Sequence, residues 1–392
     1  MATLAIQREM NAAQTASEGL ALYVHWPFCV SKCPYCDFNS HVRAEIDQAA
    51  WREALLADLA HEGRLLPGRR LTSIFFGGGT PSLMDPATAA AIVDAACRHW
   101  LAAGDIEITL EANPSSVEAA RFADLAAAGV NRISLGLQSL DDADLAFLGR
   151  AHSAAEGLAA LDVAQRHFGR VSFDLIYAFP GQGAAEWQQM LDRALGFGTG
   201  HLSLYQLTIE PGTRFAALHA AGKFAPLDPD AAADLFEITA GLTGQAGIPG
   251  YEISNHARPG EESRHNLAYW RYLDYAGVGP GAHGRRLGMR TVRHRKPENF
   301  LAAVARNGHG LAEEAPLTPA EAAREALVMG LRLAEGVDPQ ALGERLGVDR
   351  LVDAAAVARV ARLGLVETHG ARLAVTPPGR LLLDSILAEI AA

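Results

Sequence analysis

The feature that most restricts the fold of this chain is a regular alternation of strand-like and helix-like segments. Six runs rich in β-branched, leucine and aromatic residues are separated by alanine- and leucine-rich segments with helical spacing. The runs are ALYVHWP (21–27), SIFFGGG (73–79), DIEITLEAN (105–113), RISLGLQS (132–139), VSFDLIYAFP (171–180) and HLSLYQLTIEPG (201–212). Strands that alternate with helices form parallel sheets with right-handed crossovers. Since a closed barrel of this kind has eight units, six units predict an α/β fold built on a partial, TIM-like (β/α)6 barrel.

Composition excludes several classes of protein. The chain has 392 residues, 49% of them hydrophobic, and a net charge of −11. A polyanion is a poor partner for an acidic protein, so nucleic acid is disfavoured. No apolar run approaches the ~20 residues of a membrane helix. The first nineteen residues lack the basic start and apolar block of a signal peptide. We therefore expect a cytoplasmic protein.

The pattern changes along the chain and predicts four parts. Residues 1–19 are expected to be a flexible N-terminus, 20–212 the barrel, and 213–318 an extension of the barrel. Residues 319–392 combine helices with two short strands around His369 and Gly370, which is typical of a winged-helix-like, mostly helical domain. Winged helices often bind DNA, but this segment has eight arginines against ten acidic residues. A lid or a module that docks a partner is the role we expect.

Three of the four cysteines lie together directly after the first strand. Cys29, Cys33 and Cys36 fall within WPFCVSKCPYCDF, and in a reducing compartment such spacing indicates metal or redox chemistry. One interpretation is a zinc knuckle completed by His25 or His41. The other, which we favour, is a [4Fe–4S] cluster held by three cysteines, because it leaves one iron open for chemistry. The fourth, Cys97, stands alone in a helical segment and is expected to be a small buried hydrophobe.

Other unusual residues lie where the strands end, which is where barrels of this kind carry their active sites. The run from Gly77 to Thr80 ends the second strand, Glu111 the third and Gln138 the fourth, and Asp174 lies in the fifth. Glycines let main-chain N–H groups approach a ligand closely. The two acids are either functional or partners of a buried arginine.

These motifs resemble the radical S-adenosylmethionine (SAM) superfamily, and within it the oxygen-independent coproporphyrinogen III oxidase group. The resemblance runs from about Tyr23 to the C-terminus. It is carried by YVHWPFCVSKCPYCDFNS, FFGGGTPS, GLQS, DLIYAFPGQ and SRHNLAYW. It implies a barrel of the radical SAM type whose three clustered cysteines bind a [4Fe–4S] cluster. It also implies an electron donor such as a flavodoxin or ferredoxin.

The resemblance further implies which residues contact SAM. Tyr23, Gly78 and Glu111 match the positions that hold the SAM bound to the fourth iron. The oxidase binds a second SAM, and the matching positions here are Tyr35, Gly79, Thr80, Gln138, Arg150 and Asp174. A carboxylate at Glu111 suits an ammonium group, because the bond between them is charge-assisted.

Two departures separate the chain from the oxidase. Phe38 stands where the oxidase has a further cysteine, and only 22 residues precede Tyr23, whereas the oxidase has a long N-terminal extension. HNLAYW (265–270) resembles the HNxxYW motif of the HemW heme chaperones. That resemblance implies a protein that binds heme and passes it to apo-heme acceptor proteins, with peripheral membrane association through those acceptors. The alternative function is oxidative decarboxylation of coproporphyrinogen III to protoporphyrinogen IX.

Two features of the second half have competing interpretations. His265 is either an axial ligand of heme, beside aromatic rings that suit a macrocycle, or a packed histidine that only hydrogen-bonds its neighbours. The stretch GRRLGMRTVRHRKPE (284–298) is the most cationic segment of the chain. It is either a solvated surface or a site for carboxylates such as porphyrin propionates.

Overall fold

The computed structural model describes residues 19–43 and 45–392. The predicted flexible N-terminus, 1–19, therefore lies outside the described residues except for Gly19. No helix among the described residues is both long and apolar enough to cross a membrane.

An eleven-stranded sheet forms the body of the protein. Its order is β13-β12-β11-β10-β1-β4-β5-β6-β7-β8-β9. The strands of this sheet are β1 (Leu20–Trp26), β4 (Arg70–Gly78), β5 (Leu101–Ala112), β6 (Arg132–Gln138), β7 (Arg170–Tyr177), β8 (His201–Gln206), β9 (Asn255–Ala257), β10 (Tyr275–Val278), β11 (His283–Arg286), β12 (Met289–Arg293) and β13 (Leu311–Pro316). A separate pair joins β2 (Phe28–Cys29) to β3 (His41–Val42) in parallel, with Cys29 beside Val42.

The predicted fold class is confirmed. Strands β1, β4, β5, β6, β7 and β8 are consecutive parallel neighbours, which makes the six-stranded partial barrel. The predicted sixth run was too long, because β8 ends at Gln206 and residues 207–212 lead into a turn at Pro211 and Gly212. Strands buried on both faces have near-continuous apolar sequences, and β1 illustrates this with six of seven residues buried.

Helices cover the outside of the barrel and build the C-terminal part. Those up to residue 307 are α1 (Gln48–Leu65), α2 (Pro86–His99), α3 (Ser116–Ala119), α4 (Phe122–Ala127), α5 (Asp142–Phe147), α6 (Ala154–His167), α7 (Ala184–Leu195), α8 (Arg214–Ala220), α9 (Pro229–Gln245), α10 (Arg264–Trp270) and α11 (Pro297–Asn307). Side-chain caps fix several helix starts. At α6, Ser153 and Glu156 form a capping box.

Residues after 318 form a second hydrophobic cluster around Leu327, Val360 and Ile386. They comprise α12 (Pro319–Gly330), α13 (Pro339–Leu346), α14 (Ala354–Arg362), β14 (Val366–His369), β15 (Arg372–Val375), α15 (Pro377–Arg380) and α16 (Leu383–Ile390). The two strands pair antiparallel, as expected for a hairpin that follows helices. The predicted domain boundaries remain a proposal.

The basic stretch does not form a carboxylate-binding surface as a whole. Arg286 and Arg293 are buried and pair with Glu62 and Asp58 of α1. Asp58 also accepts hydrogen bonds from the main-chain N–H groups of Gly279 and Gly310. These contacts tie β11 and β12 to the outer helix of the barrel. The porphyrin-carboxylate interpretation is therefore wrong for Arg286 and Arg293, whose charges are neutralised inside the protein.

The expectation that Cys97 is buried is also wrong. It lies on the outer side of α2 and is exposed, because the buried face of that helix is made by Ile92, Val93, Ala95 and Ala96.

Candidate functional site

The three cysteines lie at the carboxyl end of β1, on a loop of which β2 is the first part. All three are partly buried, and a turn closes between Cys33 and Cys36, where the N–H of Cys36 donates to the carbonyl of Cys33 at 3.2 Å. Burial raises the pKa of the Cys29 and Cys36 thiols. Within the described ranges, no group of three or more His, Cys, Asp or Glu side chains is arranged to hold a metal ion.

Two side chains from other parts of the chain point hydrogen-bond donors at these sulfurs. Thr80 Oγ1 donates to Cys29 Sγ at 3.4 Å, and an Arg150 N–H donates to Cys33 Sγ at 3.5 Å. Donors of this kind stabilise thiolates and tune the potential of iron–sulfur clusters. These donors suit cysteine thiolates, the ligands of such clusters, so the fit is one of chemistry and not of the ligand geometry among the described residues.

The histidines that a zinc knuckle would need are already engaged. His25 Nδ1 lies 2.9 Å from the hydroxyl of Tyr23, and its Nε2 lies 2.9 Å from the carbonyl of Asn39. His41 Nε2 lies 3.4 Å from Asn39 Oδ1. Because both ring nitrogens of His25 have partners, the arrangement does not favour His25 as a fourth metal ligand.

The glycine run ends β4 beside these residues. Gly78 has φ +114°, and a Cβ there would lie 2.5 Å from the ring of His25. A Cβ on Gly79 would lie 2.7 Å from the carbonyl oxygen of Phe28. Side chains are therefore excluded where the strand meets the cysteine loop, and the N–H of Gly78 donates to Glu111 at 3.2 Å.

Glu111 and Asp174 both lie inside the barrel. Burial, aided by the nearby Asp174 charge, raises the pKa of Glu111 to about 8. Burial raises the pKa of Asp174 to about 6, although Ser203, Arg132 and Ser134 oppose this rise. A cationic ligand near these acids would be strongly favoured, because it would supply the charge that keeps a buried carboxylate ionised.

Arg132, the buried residue at the start of β6, was not among the residues predicted from the sequence. Its charge lowers the pKa of both acids and of His265. Arg132 thus acts on both acids through its charge, and whether the acids are functional or partners of this arginine stays a prediction. Arg132 lies at the opposite end of β6 from Gln138. Nothing in the sequence indicated that its side chain would be buried near the two acids.

Two of the residues predicted for a second SAM, Arg150 and Thr80, are connected by hydrogen bonds through Asn113. Arg150 donates to Asn113 Oδ1 at 2.7 Å and to the carbonyl of Gly136 at 2.9 Å. Asn113 Nδ2 in turn donates to Thr80 Oγ1 at 3.0 Å. Gln138 ends β6 with φ +69°. Burial raises the pKa of Tyr35, and the nearby Arg150 charge opposes that rise. Asn113, which links Arg150 to Thr80, was not among the predicted residues.

A cavity of about 320 Å³ opens beside the end of β4, next to the glycine run. Tyr23, Gly78 and Glu111, the three predicted SAM contacts, line it together. The remaining lining residues are His25, Phe38, Asn39, Tyr269, Tyr275, Gly281, His283 and Arg295. The structure thus brings the predicted SAM contacts to one cavity, within the size range of small-molecule sites.

The HNLAYW segment forms α10, and its residues face two different regions. His265 is only 3% exposed; its ring centroid lies 4.9 Å from Phe75 and 4.9 Å from Tyr269. Its Nδ1 lies 3.2 Å from Ser73 Oγ, and its Nε2 is buried with no partner. Burial lowers the pKa of His265 to about 3, so the imidazole is neutral. Trp270 lies on the other side and lines a cleft against the C-terminal residues.

Comparison with known proteins gives two family matches. The Radical SAM superfamily model matches residues 23–194, and the HemN C-terminal domain model matches residues 317–382. Among solved structures, coproporphyrinogen III oxidase (HemN) from Escherichia coli superposes with a TM-score of 0.78 at 23% identity, covering 96% of this chain and 91% of that one. This likeness shows the fold.

Curated relatives are similar over most of the chain. Heme chaperone HemW of Mycobacterium tuberculosis is 35% identical over 96% of this chain and 95% of its own length. Heme chaperone HemW of Haemophilus influenzae is 36% identical over 94% of this chain and 97% of its own length. The bovine mitochondrial protein named radical S-adenosyl methionine domain-containing protein 1 is 43% identical, with 83% and 75% covered.

Proposed function

The chain belongs to the HemW family of radical SAM proteins, and from that membership we propose that it is a heme chaperone, which binds heme and passes it to apoproteins. The two bacterial relatives that carry this name align with nearly the whole chain. The bovine relative is named a mitochondrial protein, so the cytoplasmic location remains a prediction.

The observation that carries the proposal is the unpartnered Nε2 of buried His265. A buried polar atom without a partner costs about 1–3 kcal/mol and calls for an explanation, such as a ligand. A neutral imidazole nitrogen is what heme iron takes as an axial ligand. Ser73, close to Nδ1, would orient the ring so that Nε2 faces the iron.

Access to His265 requires a local movement. Tyr269 contacts the His265 ring and also lines the 320 Å³ cavity. Displacement of Tyr269 would therefore connect that cavity to the imidazole. In this proposal Tyr269 and Tyr275, whose ring centroids lie 4.2 Å apart, supply the apolar faces against which a macrocycle packs.

The remaining cofactor residues keep the roles that the family implies. Cys29, Cys33 and Cys36 would hold the [4Fe–4S] cluster, whose chemistry would be the supply of one electron to bound SAM. Tyr23, Gly78 and Glu111 bind that SAM, and Glu111 pairs with its amino group. Tyr35, Gly79, Thr80, Gln138, Arg150 and Asp174 surround the adjoining space, where a second SAM or the substrate would lie.

Heme titration of the anaerobically reconstituted protein tests the ligand assignment. His265→Ala is expected to shift or diminish the Soret band of bound heme and to leave the iron content of the cluster unchanged. The matched control is His294→Ala, a partly exposed histidine that does not line the cavity. A Soret band that His265→Ala leaves unaltered would reject His265 as the ligand. Loss of the band in the His294 variant instead would move the ligand to the segment that directly follows β12.

A further inference from the structure

We propose that the surface around the cysteine loop is the docking site of a small acidic electron-carrier protein. We call this surface, made by residues 28–43 and 294–298, the cysteine-loop face. The inference rests on the proposed function only in requiring a cluster on the three cysteines. It adds where the electron-carrier protein binds and which side chains attract it.

The centre of the cysteine-loop face is apolar. Val30, Phe38 and Val42 are 71%, 58% and 49% exposed. Val30 follows Cys29 directly, and Val42 pairs with Cys29 across β2 and β3. Among the phenylalanines and tryptophans in the described part of the chain, Phe38 alone is exposed. Aromatic side chains are enriched in the centres of protein interfaces. A docking surface would therefore account for the exposure of Phe38.

The surroundings of these side chains are basic, although the whole chain carries a net charge of −11. Lys32, Arg43, Arg295 and Lys296 are exposed on the cysteine-loop face, against the carboxylates of Asp37 and Glu298. Glu298 pairs with Arg43 at 2.5 Å. The excess of positive charge is local, and it would steer a negatively charged protein toward this face.

The two parts of the face are held together by Asn39. Its Nδ2 donates to the carbonyl of Arg295 at 2.9 Å and to the carbonyl of Pro280 at 2.9 Å. Lys32 and Arg43 lie near enough to His41 for their charges to lower its pKa. The cations therefore surround the strand pair that carries Cys29 instead of being scattered along the chain.

The position of this face selects an electron carrier among acidic partners. All three cysteines lie on the same loop as Val30 and Phe38, so a protein seated here contacts the loop that would hold the metal group. An apolar centre with a charged rim and a short contact suits the small, transient interfaces of redox partners. Anionic lipid is the competing occupant, and the experiment separates the two.

The experiment compares two routes of cluster reduction in the full-length, reconstituted protein. The readout is the rate with a reduced bacterial flavodoxin divided by the rate with dithionite, so that damage to the cluster itself cancels. Lys32→Glu/Lys296→Glu, which changes two exposed lysines that do not line the cavity, is expected to lower this ratio by about fivefold or more at low salt and to weaken its dependence on ionic strength. Val30→Ser is expected to lower the ratio with its salt dependence intact.

The matched control reverses two exposed arginines outside the face, Arg350→Glu/Arg362→Glu, both in the residues after 318, and should leave the ratio within about twofold of the parent value. An unchanged ratio in the Lys32/Lys296 variant would overturn the proposal. So would an equal loss in the control, or a loss of binding to phosphatidylglycerol vesicles without any change in the ratio. Iron content and heme titration, measured on the same samples, report separately on the proposed function.

Discussion

Glu111 Oε2 accepts a hydrogen bond from the main-chain N–H of Gly78, at 3.2 Å. The contact joins the third barrel strand to the glycine run that ends the second, at the wall of the cavity that Tyr23 also lines. It is one of few compensations for a carboxyl group whose pKa burial raises to about 8. The site thus holds an acid whose ionised form needs a cationic ligand.

Replacing Glu111 should weaken the binding of SAM and should stabilise the SAM-free protein. Glu111→Gln is expected to reduce SAM affinity by about 1.5–3 kcal/mol, the range for a bond to a charged group. Isothermal titration on samples with equal iron content measures this. Equal affinity in parent and variant would show that Glu111 does not contact the ligand.

The same group predicts a pH dependence of stability with a definite sign. Its folded pKa of about 8 lies above the ordinary 4.5, so ionisation favours the unfolded chain. The loss of folding stability caused by ionising Glu111 is absent below about pH 4.5 and grows to roughly 3–5 kcal/mol by pH 8. In thermal melts without SAM, Glu111→Gln should therefore gain stability over the parent at pH 8 and gain little at pH 5. A gain of the same size at both values would contradict the assigned cause.

SAM affinity of the parent protein should rise with pH between 6 and 8. Below pH 8 the Glu111 carboxyl must release its proton to pair with the ligand, so affinity can rise up to about tenfold per unit. Titrations at three pH values test this, with Glu111→Gln as the control whose affinity should lack this rise. A flat profile in the parent would argue that the carboxyl is already ionised.

Removing the donor to Cys29 should lower the reduction potential of the cluster. Thr80→Val keeps the shape and deletes the hydroxyl that lies 3.4 Å from the sulfur, and hydrogen bonds to the sulfurs help to set cluster potentials. Redox titration followed by electron paramagnetic resonance measures the change. Thr88→Val is the control, because Thr88 Oγ1 is buried without a partner and its loss should leave the potential as it is.

Breaking the buried ion network should destabilise the protein strongly. Arg293→Met leaves Asp58 without its arginine and Glu62 with only Arg286, which costs about 3–5 kcal/mol for a buried pair. Denaturant unfolding measures it. Arg290→Met, which breaks an exposed pair with Glu313, should cost less than about 1 kcal/mol. Similar losses in the two variants would mean that the network does not stabilise the fold.

The barrel could be predicted because its parallel strands are mostly buried, so strands such as β1 and β7 are marked by runs of apolar residues. The rim residues followed from the rule that such strands carry their sites at the carboxyl ends. Gly78 was identifiable for the same reason, whereas its contact with His25 depends on packing between strands.

Other features depend on contacts distant in sequence. The arginines of the basic stretch meet Asp58 and Glu62 more than 200 residues away, so their burial leaves no local signal. Arg132 lies inside the barrel although its neighbours look like an ordinary strand. His265 was correctly picked out as unusual, but the aromatic rings that bury it come from β4 and from its own helix, and only the folded chain brings them together.

The central claim is most directly tested by mixing the heme-loaded, reconstituted protein with an apo-cytochrome and following the Soret bands of both. The proposal predicts stoichiometric heme binding, transfer to the apoprotein that slows in His265→Ala, and no protoporphyrinogen IX from coproporphyrinogen III in the presence of SAM and a reductant. Failure to bind heme, together with formation of protoporphyrinogen IX in the same preparation, would contradict the heme-chaperone proposal and identify a decarboxylase.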